Sequence, residues 1–125
     1  MLYRPLFAAA GVFAIALGVL LLVAPELYLD AYLVAPDDSR AFAARRLAPA
    51  VMGLGAVLLL MRSLAPGPVL IRFSGITACV WFGVAATGAY DFATGTAHGS
   101  ILIAAVIEVV LGGLFLLAAR GIRAA

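Results

Sequence analysis

The sequence predicts an all-α integral membrane protein, a four-helix bundle with both termini in the cytoplasm. Three observations carry that prediction. Hydrophobic residues make up 66% of the 125 and charged residues only 11%, whereas about a quarter of a soluble domain is charged. Four apolar runs are long enough, or nearly so, to cross a hydrocarbon core of about 30 Å, which takes roughly 20 helical residues. None of them alternates apolar with polar residues, which excludes the strands of a membrane β-barrel. The mean hydropathy is +1.21, and residues 1–125 are one domain by length.

The first span is expected over residues 5–24. Pro5 suits a first helical turn, where its missing N–H is not needed, and Pro25 ends the run. Leu6 to Ala24 is longer than the apolar stretch of a secretory signal, about 7–15 residues, and no A-x-A-like site follows, so a retained helix is expected. The connection Pro25 to Val34, PELYLDAYLV, sets Tyr28 with Tyr32 and Glu26 with Asp30 at i,i+4. Two readings fit it: a short interfacial helix with tyrosines at headgroup level, or an extension of the first helix beyond the membrane.

Pro36-Asp37-Asp38-Ser39 is a helix start, its acids complementing the positive end of the helix dipole. The second span is expected over 45–62. The third, over 70–90, is entered from the turn Pro66-Gly67-Pro68. The fourth, over 100–119, starts at Ser100, which is expected to cap it after Gly99. No internal repeat is visible, so an inverted-repeat transporter is not supported.

Charge sets the orientation. With four spans, both termini and the connection between spans two and three share one side, which holds Arg4, Arg62, Arg72, Arg120 and Arg123 and no acid. The other side has Arg40, Arg45 and Arg46 with Glu26, Asp30, Asp37, Asp38 and Asp91. The excess of positive charge places the first side in the cytoplasm. The arginines sit at segment ends and form no patch, which argues against a nucleic-acid partner. The single cysteine, Cys79, excludes an internal disulfide and multi-cysteine metal chemistry.

A few polar groups need a partner. The apolar run between Arg46 and Arg62 reaches only about 22 Å as a helix, so the arginines must snorkel or one end must be drawn inward. Adjacent arginines point about 100° apart on a helix, so one of Arg45 and Arg46 is expected to face the bundle. Pro49 cannot donate to the carbonyl of Arg45, so a kink is expected there. Glu108 is the acid inside an apolar span, about 12 Å below the start of its helix. A bare charge at that depth costs a few kcal/mol, so Glu108 should be protonated, paired or facing water. The expected pair is Glu108 with Arg45 or Arg46, holding either a ligand or only the helices. Thr87, Tyr90 and Asp91 would complete a polar cluster in the outer half of the bundle.

Gly75, Cys79, Gly83, Thr87 and Asp91 recur every four residues, and such a small face favours close helix packing. On that reading Cys79 is a small core residue and not a nucleophile. Ala10, Ala14 and Gly18 give the first span a similar face, and Trp81, which could line a ligand cavity or fill the core, is expected to do the latter. His98 with Asp91 and Glu108 lacks metal-ligand spacing, so no metal site is expected. No cofactor motif is present.

The run LLLVAPELY, the outer connection, then ARRLAPAVMGLGAVLLL, two further spans and an acid in the last resemble the DoxX-like superfamily of small four-helix bacterial membrane proteins. The points that match are Pro25, the arginine at Arg45 or Arg46 leading into Gly53 and Gly55, and Glu108. The resemblance implies a four-helix bundle in the bacterial inner membrane and, for some members, association with redox or lipid-pathway partners. It supplies no catalytic residues, and one cysteine departs from a thiol-redox role.

Three classes of function are left. The first is an accessory or binding protein that holds a lipophilic ligand of lipid, quinone or isoprenoid type, or scaffolds a membrane complex. The second is a small proton-coupled exporter using Glu108. An enzyme using Glu108 as acid or base ranks last, because spacing supplies no second catalytic group. Membrane lipid is the expected surrounding partner. Small faces beyond the needs of a minimal bundle suit a homo-oligomer or a partner membrane subunit.

Overall fold

A computed structural model describes residues 2–35 and 37–124. Pro36, which heads the expected helix start, lies outside them. Five helices follow in order: α1 (Tyr3–Val23), α2 (Pro25–Tyr32), α3 (Asp38–Met61), α4 (Pro68–Ala93) and α5 (Ser100–Ala124). All but α2 are long and apolar enough to cross a membrane. The chain is a small multi-pass membrane protein folded as a four-helix bundle.

α1 and α2 are separate helices. Ala24 breaks the chain between them with φ −143° and ψ 62°, and Pro25 opens α2 at its first turn. The reading of Pro25–Val34 as an extension of the first helix is thereby excluded. α2 packs on α1, α3 and α5, so it folds across one end of the bundle. Its residues divide at helical spacing: Pro25 and Leu29 are buried with Tyr28 and Tyr32 half-buried, while Glu26, Leu27, Asp30 and Ala31 are exposed.

α3 starts where its sequence says. Asp37 is the N-cap and accepts from the Arg40 backbone N–H at 2.9 Å, while the Ser39 hydroxyl donates to the same carboxylate at 2.6 Å. This satisfies one of the free N–H groups that open any helix. Pro49 lies within a continuous α3.

The packing is that of two helix pairs. α1 lies closely along α3, and α4 along α5. Small residues allow the first approach: a methyl group placed on Gly55 would stand 2.6 Å from the Gly11 carbonyl oxygen and 2.7 Å from Ile15 Cγ1. On α3 the buried small positions Ala41, Ala48 and Gly55 recur every seven residues, the repeat that keeps one seam on a neighbouring helix. Ala10, Ala14 and Gly18 are buried on α1 as expected.

The α4 face differs from the expected one. α4 buries Leu70, Ser74, Thr77, Ala78, Trp81, Ala85 and Gly88. Cys79, Gly83 and Thr87 are exposed and Gly75 is half-buried, so Cys79 is not a core residue. The reason is volume: Trp81, flanked by Ala78 and Ala85, fills space that the small stripe would leave empty.

Between the two pairs lies an aromatic seam. The Phe7 ring stands 5.1 Å from Phe115 and 5.8 Å from Phe73, and Phe13 stands 6.3 Å from Trp81. Tyr3, Phe7, Leu58, Leu70, Trp81 and Phe115 belong to one buried cluster. Large rings hold these pairs apart, whereas glycines let the helices within α1/α3 approach.

The end of the bundle that carries α2 has a second tie. α4 ends with Gly95 at φ +76°, and the N–H groups of Gly95 and Thr96 bond back to the carbonyls of Phe92 and Asp91. This is the glycine C-cap that a left-handed residue permits. The chain then runs beside the segment after α2: Val34 N–H donates to Thr96 O at 3.1 Å and His98 N–H to Tyr32 O at 2.7 Å, with Leu33 bridged antiparallel to Ala97. Ser100 was expected to cap α5, but its hydroxyl donates to the Ala31 carbonyl. That carbonyl, at the end of α2, has no helical partner of its own, so the bond satisfies it.

Candidate functional site

The residues expected to form one polar cluster go to different places. Arg45 turns to α2, with its Nη2 2.8 Å from Glu26 Oε1. Arg46 lies over the Phe42 ring, 5.7 Å from the centroid. Neither reaches Glu108, and the expected Arg45 or Arg46 pair with Glu108 is not formed. The physical reason is placement. α2 packs against the first part of α3 and offers Arg45 a carboxylate in an exposed position. Pairing there avoids the cost of carrying two charges into an apolar interior, which the attraction between them often fails to offset.

Thr87 donates its hydroxyl to the Val84 carbonyl within its own helix at 2.7 Å. Tyr90 is 68% exposed. Asp91 serves the α4 end through its backbone carbonyl, which accepts from Thr96 and Ala97. Among the described residues none of these three side chains bonds to Glu108.

Glu108 stands apart from all of them. On α5 the buried positions run Ala105, Gly112, Phe115, Ala118 and Ile122. Glu108 falls three residues after the first and four before the second, the i, i+3, i+7 rhythm of a packing face. It is therefore a seam residue, half-buried, and among the described residues it has no ion-pair or hydrogen-bond partner. The α2 roof lies close enough for its charge to act on Tyr28. Burial pushes the Tyr28 phenol above its ordinary range, and neighbouring Tyr32 and Glu108 push it the same way. The two tyrosine rings meet edge to face, with centroids 4.9 Å apart. Glu108 thus lies within electrostatic range of Tyr28 on α2.

A second polar group lies in the core, on the tryptophan that the sequence places there. Trp81 is 8% exposed and its indole N–H is buried without a partner among the described residues, although buried tryptophan N–H groups usually find one. Phe82 against Gly112, and Ile101 against Gly88, fix α4 and α5 as antiparallel. In that register Trp81 and Glu108 lie within about two helical turns of each other along the bundle axis. Sequence could place Trp81 in the core but could not show its N–H lacking an acceptor, because the acceptor would have come from another helix.

No family model, no characterised protein and no solved structure matches this chain.

The remaining candidates are simple. His98 is an exposed loop residue whose backbone N–H bonds to α2. No three His, Cys, Asp or Glu side chains among the described residues are grouped so as to hold a metal. Cavities of about 100 and 450 Å³ lie at the opposite end, where the termini are.

Proposed function

We propose that the chain is an accessory protein of the bacterial inner membrane, of DoxX-like type, that holds a lipophilic molecule with one polar head against the Glu108 face beneath α2. One observation carries this reading: a half-buried carboxyl on the packing face of a membrane helix has no partner among the described residues. Ionisable groups inside membrane spans are costly and by default functional. A protonated Glu108 can donate to a quinone or ester carbonyl, and an ionised one can accept from an isoprenoid alcohol or lipid hydroxyl. The rings of Tyr28 and Tyr32 supply an amphipathic surface beside it.

Mass spectrometry of small molecules retained by the full-length protein, extracted in a mild detergent, tests this. Wild type should retain a defined lipophile that a Glu108→Ala variant loses. If both retain only bulk phospholipid, the reading is wrong. A proton-coupled exporter would draw on the same isolated carboxyl, and it is recognised by pH-driven flux in proteoliposomes that Glu108→Gln abolishes. Orientation is tested with reporter fusions. A C-terminal green fluorescent protein should be bright, and a C-terminal alkaline phosphatase should be inactive.

A further inference from the structure

The end of the bundle that carries both termini has a different chemistry. Arg4 in α1, Arg62 after α3, Arg72 in α4 and Arg120 and Arg123 in α5 are all exposed there. The acidic side chains other than Glu108 lie at the α2 end, so among the described residues none of these arginines is paired with one. Two of them share a groove. Arg4, Pro5 and Ala8 of α1 and Arg62 and Ser63 at the end of α3 line an open depression of about 450 Å³.

We propose that this groove binds the phosphate of an anionic phospholipid. Arg4 is held in place before any ligand arrives: its Nε donates to the Tyr3 hydroxyl at 3.2 Å, and that hydroxyl donates to the Leu64 carbonyl, also at 3.2 Å. Its terminal nitrogens have no partner among the described residues and point to an anion as their ligand. Arginine has the donor geometry for phosphate oxygens, whereas the Ser63 hydroxyl spends its proton on the Leu60 carbonyl, so the two arginines supply the charge that holds the anion. Pro5 and Ala8 make the groove's other wall apolar. Below Ala8, at helical spacing on the same face of α1, Val12 and Val19 are exposed, and an acyl chain attached to the phosphate would lie along them. A soluble phosphate would use the arginines but gain nothing from that strip.

The test uses the full-length protein, delipidated in detergent and offered equal amounts of phosphatidylglycerol and phosphatidylcholine, with bound lipid read by native mass spectrometry. A basic side chain near anionic lipid contributes about fivefold in partitioning, so phosphatidylglycerol should be enriched by roughly an order of magnitude or more with both arginines present. Arg4→Gln with Arg62→Gln should abolish the enrichment. Arg72→Gln with Arg123→Gln removes the same charge from the same end but outside the groove, and should leave most of it. Equal loss in both double variants, or no enrichment in wild type, overturns the proposal. So does displacement of the lipid by glycerol phosphate, which would show a soluble phosphate to be the ligand. The wild-type preference and the competition need no variant to fold.

Discussion

Gly55→Ala offers a sharp test of how α1 and α3 are held. The added methyl would meet Gly11 O at 2.6 Å, Ile15 Cγ1 at 2.7 Å and Ile15 N at 2.9 Å. Two of those atoms are backbone, so no side-chain rotation relieves the clash and the helices must separate. An opening of about 0.5 Å forfeits roughly a quarter of the dispersion energy of the contacts it lengthens. Overpacking of this kind costs about 1–3 kcal/mol. Gly53, two residues earlier on the same helix, has nothing within 4 Å of such a methyl. Both substitutions gain the same helix-backbone benefit of about 0.5–1 kcal/mol, so their difference isolates the helix contact. Unfolding each variant by dodecyl sulfate titration in mixed micelles should place Gly55→Ala about 1–3 kcal/mol below Gly53→Ala. Equal stabilities would refute the close α1–α3 approach.

Three more outcomes follow. Gly95→Ala forces a side chain into φ +76° and should cost about 1–2 kcal/mol, seen as faster hydrogen exchange at Val34 and His98. The carboxyls of Glu26 and Asp37 are both held below their ordinary range, Glu26 first by backbone N–H donation and also by Arg45, Asp37 first by the Ser39 hydroxyl and then by the Arg40 N–H. A lowered acid contributes stability that is present above its unfolded pKa and lost as pH falls through its folded pKa. The α2 end should therefore stay docked near neutrality and loosen under acid conditions below the ordinary carboxylate range, measurable by exchange at Leu33 and Arg40. In detergent, Cys79 should react with a small maleimide in the folded state, whereas Ser74→Cys in a Cys79→Ser background, fully buried at Ser74, should react only after unfolding.

Much of the architecture could be read from residues. The spans, the Asp37 cap and the small face of α1 follow from local chemistry, because hydropathy, capping and i,i+4 spacing act within one element. The candidate site was less legible. Arg45 and Glu108 look like natural partners when depth along each helix is all that is known. Where α2 crosses the bundle is a relation among several helices, and it is this crossing that brings Glu26 to Arg45. Cys79 went astray for a related reason: a small stripe marks a face able to pack closely, but the volume of Trp81 decided which face turned inward. The groove between Arg4 and Arg62 joins residues 58 positions apart, and only the antiparallel pairing of α1 with α3 brings them together.

The division into two helix pairs bears on how the chain is made. Each close pair is contiguous, α1 with α3 in the first half and α4 with α5 in the second. The first pair can therefore be complete in the bilayer while the second is still being synthesised. Local pairing of this kind favours rapid assembly. What joins the halves afterwards is rings meeting rings along the aromatic seam, and the short bridge at Leu33 and Ala97. Two genes encoding residues 1–64 and 65–125 should consequently yield halves that find each other in the membrane.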